Sequence, residues 1–115
     1  MSEIFSTQQH GNVTVLTLES TNVDTSNVAE MERALQVLIS EAQSQVVIDL
    51  SQLTFVSSAG LRSLLIAAKQ ARKHGGDLRL AGATPKVAYI FELVGMKSIF
   101  RFYTDVANAV ASFGE

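Results

Sequence analysis

Apolar and polar residues change period several times along the chain, and each change marks an element. Val13–Leu18, "VTVLTL", alternates with a period of two, the pattern of a half-buried strand. A shorter strand around Ile4 to Thr7 can pair with it across a turn at His10, Gly11 and Asn12. From Thr21 the period lengthens. Val28, Met31, Leu35, Leu38 and Ile39 recur at helical spacing, with Asp24, Thr25 or Ser26 available as cap and Glu30 and Glu32 near the positive end. Gln45–Leu50, "QVVIDL", is a short apolar run of the kind that is buried on both faces of a sheet.

A second helical pattern runs from about Ser58 to Lys73, with Leu61, Leu64, Leu65 and Ala68 on one stripe. The pair Gly75-Gly76 breaks it, and a strand follows near Leu78 to Ala81. Thr84 and Pro85 have the chemistry of a cap and a first helical residue, and Gly95 that of a stop. "SIFRFY" is a last strand, and "TDVANAVASF" a last short helix capped by Thr104 or Asp105. Phe91, Leu93, Ile99, Phe100 and Phe102 are expected in or near the core. The order is β-β-α-β-α-β-α-β-α. It predicts one α/β domain over residues 1–115, with a mixed sheet of about five strands packed by about four helices.

Composition narrows the function. At 115 residues the chain has the size of one ordinary domain. It is 47% hydrophobic and 17% charged, which supports a packed core and excludes a disordered chain. A net charge of −2 offers no global field for nucleic acid or an anionic membrane. Without cysteine there is no thiolate nucleophile or cysteine metal site, which fits a reducing cytoplasm. The start, "MSEIFSTQQHGN", lacks the pattern of a signal peptide, and no apolar run nears the roughly 20 residues that span a bilayer.

The chemistry gathers at "FVSSAGL", Phe55 to Leu61, where a loop becomes a helix. Either Ser57 or Ser58 can cap that helix through its hydroxyl, a role worth about 1 kcal/mol. The same position suits a phosphate, because a helix start presents unpaired N–H groups and partial positive charge. Phosphoserine there would rewrite the charge a partner meets without unfolding the domain. Ala59 and Gly60 leave room for close approach, and Arg62 is the nearest cation.

Asp49-Leu50-Ser51, Ser58-Ala59-Gly60-Leu61, Gly75-Gly76 and Gly95, in this order and spacing, resemble the STAS domain of bacterial anti-sigma factor antagonists. The resemblance covers almost the whole chain, and Asp24 is similar to the family's aspartate ahead of its first helix. It implies a non-enzymatic partner switch. The unphosphorylated antagonist binds an anti-sigma factor serine/threonine kinase, and sigma factor is released. The kinase phosphorylates the antagonist, which lets go, and a metal-dependent serine phosphatase resets it. By position the acceptor is Ser58, with Ser57 as second candidate. The partner surface is Asp24, Thr25, Ser57, Ala59, Gly60, Leu61 and Arg62. The resemblance implies a cytoplasmic bacterial protein, monomeric or weakly dimeric, with no cofactor, nucleic acid or membrane. Two departures stand out. Ser57 occupies the place of the family's usual aspartate, and "LESTNVD" lacks a glycine and is slightly longer. Some members of the family are unswitched scaffolds, and some proteins of similar fold handle lipids or other small ligands.

Other chemistries find little support. A serine hydrolase would need a histidine base, and the only histidines are His10, in a turn, and His74, at a helix end. The nucleophile elbow G-x-S-x-G is absent, since Val56 stands where its first glycine would be. "GATPK", Gly82 to Lys86, lacks the spacing of a phosphate-binding loop. Arg62, Lys69 and Lys73, with Arg72 close by, form either a solvated helix face or a docking surface for an acidic partner.

Overall fold

A computed structural model describes residues 4–114; Met1–Glu3 and Glu115, the ends of the expected domain, lie outside the described residues. Strands β1 (Phe5–His10) and β2 (Val13–Leu18) form an antiparallel hairpin, turning at Gly11 with φ +62°. Strands β4 (Gln45–Asp49), β6 (Asp77–Ala81) and β7 (Phe102–Tyr103) add in parallel, giving the order β1-β2-β4-β6-β7. The expected mixed five-strand sheet with four helices is present. The central strand β4 is buried at Val46, Val47 and Ile48, as a run covered on both faces requires.

Helices α1 (Val28–Leu38), α2 (Ser58–Lys73) and α3 (Pro85–Leu93) cover one face. Their stripes, among them Met31, Leu35, Leu61, Leu64, Val87 and Phe91, share a core with Leu16, Leu18, Val46, Ile48, Leu78 and Leu80. Helix α4 (Val106–Ser112) covers the other face alone, with Ala109 on Val13, Val15, Val47 and Ala81. Caps fall where the residue types place them. The Thr84 hydroxyl accepts from the Val87 amide and donates to the Leu53 carbonyl, so one side chain starts α3 and ties it to the loop after β4. Asp105 caps α4 through the Asn108 amide.

Four expectations need correction. A second, two-stranded parallel sheet joins β3 (Asn22–Val23) to β5 (Phe55–Val56), in stretches that carry no strand pattern. The last strand is only Phe102–Tyr103, because Phe100 leaves the ladder for the core and packs edge-on against Phe91, ring centroids 5.6 Å apart. Leu93 and Ile99 are exposed rather than near-core, at 65% and 37%. Helix α1 begins after Asn27 without a side-chain cap, and its first turn contains Glu30 but not Glu32. Neither Asp24, Thr25 nor Ser26 caps α1; the Asp24 carbonyl instead accepts from the Asn27 and Val28 amides.

Candidate functional site

The parallel strands β2, β4, β6 and β7 end on one side of the sheet, where loops carry the chain into the helices. That side holds the site. After β4, Leu50 and Leu53 turn inward, and β5 brings the chain alongside β3. The Thr21 carbonyl accepts from the Thr54 and Phe55 amides, and the Val23 carbonyl accepts from the Ser57 amide at 2.8 Å. The ladder therefore sets the Asp24 loop directly against the start of α2.

The serines divide the work there. Ser57 is the cap: its backbone is extended, with φ −78° and ψ 168°, and its hydroxyl accepts from the Gly60 amide at 3.2 Å. Ser58 is the first helical residue. Its side chain is exposed, and its hydroxyl makes no hydrogen bond among the described residues. Gly60 is buried because the helix start lies tight on the small sheet. A Cβ at this position would come within 2.7 Å of Val56 Cγ2 and 2.9 Å of Val23 Cγ1.

Asp24 serves its own loop. Its carboxylate accepts from the Ser26 amide and hydroxyl and from the Asn22 side chain, while its amide donates to the Asn27 side chain. The Ser26 hydroxyl and amide hold this carboxyl below the usual carboxylate range. Thr25 beside it is exposed.

Ser58, Ala59, Arg62, Ser63 and Ile66 of α2, with Val28 and Glu32 of α1, line an open groove of about 590 Å³. Arg62 is exposed one turn beyond Ser58 and has no ion pair among the described residues. The Ser63 hydroxyl donates to Glu32 at 3.2 Å and ties the two helices across the groove. The structure thus brings together Asp24, Thr25, Ser57, Ser58, Ala59 and Arg62. Gly60 and Leu61, also expected at the partner surface, are buried and lie behind these residues.

The remaining candidates lie elsewhere. Arg72 is committed to Asp77 at 2.8 Å and to the Ile99 carbonyl, so it leaves the basic face to Arg62, Lys69 and Lys73. His74 meets Gln70 at the far end of α2, roughly 24 Å from Ser58 for a helix of this length. His10 meets Gln8 and is the last residue of β1, at the mouth of the expected turn. Among the described residues no helix is long and apolar enough to cross a membrane.

The β3–β5 ladder is the element of the candidate site that sequence reasoning missed. Its only local signals are single buried residues, Val23 and Val56, and its pairing is long-range.

A family model described as the STAS domain matches residues 5–109. A Bordetella bronchiseptica protein, BtrV, named as a candidate anti-sigma factor antagonist, is 37% identical over 91 residues. That match spans 79% of this chain and 78% of BtrV. Among solved structures, an anti-sigma factor antagonist from Mycobacterium paratuberculosis superposes with a TM-score of 0.86 at 22% identity, covering 96% of this chain and 93% of the other. The unphosphorylated form of the anti-sigma factor antagonist SpoIIAA gives a TM-score of 0.80 at 18% identity, over 96% and 97% of the two chains. The phosphorylated form of SpoIIAA, described as a Bacillus cell fate determinant, gives 0.73 at 15%, over 94% and 97%. At these identities the structural likenesses concern the fold.

Proposed function

The chain belongs to the STAS domain family, and from that membership we propose that it is an anti-sigma factor antagonist switched by phosphorylation at Ser58. In this reading residues 1–115 form one STAS domain that works in the cytoplasm by binding rather than by turnover. The unphosphorylated chain binds an anti-sigma factor serine/threonine kinase, and sigma factor is released. The kinase transfers the γ-phosphoryl group of ATP to Ser58 Oγ, which loses its proton, and ADP leaves. The modified chain lets go, and a metal-dependent serine phosphatase returns the hydroxyl.

One observation carries the choice of residue. Ser57 holds the Gly60 amide, whereas the Ser58 hydroxyl is exposed and without a hydrogen bond among the described residues. A kinase reaching the Ser58 hydroxyl breaks no side-chain hydrogen bond found among the described residues. The phosphate would arrive at a helix start, where orphan N–H groups and the helix dipole stabilise it locally. It adds a charge of about −1.5 to −2 to a surface formed by Asp24, Thr25, Ala59 and Arg62. The modification therefore acts on the partner and leaves the domain folded. Gly60 and Leu61 support that surface from behind by fixing the first turn of α2 against β3 and β5.

Peptide mass spectrometry of the chain isolated from its own cells tests the site, and binding to the cognate kinase tests the switch. One phosphate on Ser58 is expected. Ser58→Ala should stay bound through an ATP chase, and Ser58→Asp should bind at least about tenfold more weakly, a change of about 1.4 kcal/mol. A phosphate on Ser57 would move the site. No phosphate, with binding indifferent to both variants, would make the chain an unswitched binding module.

A further inference from the structure

The outer edge of β1 is a strand six residues long, FSTQQH, in which Ser6 to His10 are all exposed. Its inner side is fully engaged. The register runs from Phe5 opposite Leu18 to His10 opposite Val13, and the Ile4 carbonyl accepts from the Glu19 amide at 2.6 Å. Hydrogen-bonded and non-hydrogen-bonded pairs alternate along an antiparallel ladder. With Ile4 bonded to Glu19, the main-chain groups of Ser6, Gln8 and His10 face β2, and those of Phe5, Thr7 and Gln9 face outward. No backbone partner of the outward groups is found among the described residues.

Proteins usually blunt such an edge with lysine, proline, a bulge or an inward charge. This strand has no proline, lysine, arginine, aspartate or glutamate, and its register with β2 is unbroken. The outward set is also symmetric. An antiparallel copy centred on Thr7 places Thr7 opposite Thr7, Phe5 opposite Gln9 and Ser6 opposite Gln8. Every outward N–H and C=O of the three residues then finds a partner, threonine pairs with threonine, and no like charges meet. The same register sets Gln9 of the copy beside Phe5. Phe5 lines an open groove of about 760 Å³ along α1, where Val37 stands 81% exposed.

We propose that β1 is a strand-addition surface whose partner is β1 of a second copy of this chain, paired antiparallel about Thr7. The pairing joins two sheets edge to edge. Ser58, which follows β4 at the centre of the sheet, stays free on each copy. The contact is main-chain hydrogen bonding with little apolar area, so association is weak and depends on concentration.

Sedimentation velocity on the full chain, from about 1 μM to about 1 mM, tests it. The expected result is a mass rising from 12.4 kDa toward twice that value. Thr7→Pro removes an outward N–H and leaves the β2 ladder intact, so it should hold the mass at one chain. Thr7→Lys sets two ammonium groups face to face on an exposed site; it should also stay monomeric at low salt and recover the dimer at high salt. Thermal melts check that both variants fold, and the lysine variant carries the test alone if the proline variant does not. A parent chain that stays at 12.4 kDa throughout overturns the proposal. So does a dimer indifferent to Thr7→Lys at low salt.

Discussion

The amide of Ser57 donates to the carbonyl of Val23 at 2.8 Å, and this bond holds the two halves of the candidate surface together. Residues 24 and 58 come from loops far apart in sequence, and the short ladder of β3 and β5 makes them neighbours. Gly60 lets α2 lie flat on that ladder. A Gly60→Ala methyl would lie 2.7 Å from Val56 Cγ2 and 2.9 Å from Val23 Cγ1, so either these stiff valine side chains or the first turn of α2 must shift. We expect a loss of about 1–3 kcal/mol in chemical denaturation. Binding to the proposed kinase partner should weaken even well below the unfolding midpoint, because the contact between the Asp24 loop and the start of α2 is disturbed. A variant as stable as the parent would show that the helix start yields without strain.

Adjacent serines should respond differently to the same change. Ser57→Ala removes the acceptor of the Gly60 amide and should cost about 1 kcal/mol. Ser58→Ala removes an exposed hydroxyl without a hydrogen bond among the described residues, and should stay within about 0.5 kcal/mol of the parent. Urea midpoints of the two variants check this directly. Equal losses would contradict the division of capping and exposure between them.

Asp77 ties the end of α2 to β6. Burial pushes its carboxyl up, but hydrogen bonds from Arg72 at 2.8 Å and Arg79 at 3.0 Å outweigh burial and hold it below the ordinary value of 3.8. A carboxyl depressed in the folded state stabilises the fold above its unfolded pKa. That contribution fades as the pH falls from there through the folded pKa. Asp77→Asn should lower stability at pH 7 by about 1.5–3 kcal/mol, the range for hydrogen bonds to charged groups. It should also flatten the loss of stability below about pH 4. Denaturation midpoints of the parent and the variant across pH 2–7 measure both effects; parallel curves would remove Asp77 from the acid transition.

Sequence reasoning went furthest where a single segment decides its own structure. The limits of β2 and α2, the Thr84–Pro85 start and the Gly95 stop depend on local period, caps and backbone freedom, and all are found. Two-residue strands have no period, so β3 and β5 were not legible: they exist through pairing across the chain. The end of the "SIFRFY" strand depended on a competition invisible locally, in which Phe100 gains more from the rings around Phe91 than from the ladder. The choice between Ser57 and Ser58 as cap likewise turned on the Val23 carbonyl, which fixes where β5 ends.

Helix α4 alone covers one face of the sheet, through a small cluster of Val13, Val15, Val47, Ala81 and Ala109. The three other helices share the much larger core on the opposite face. Such lopsidedness sets a hierarchy of local opening. In native-state hydrogen exchange the amides of α4 should trade with solvent through partial openings that spare β4, α2 and the Ser58 end. A load applied on the C-terminal side of α4 would then pull first on the least protected helix, and the Ser58 end would remain in register.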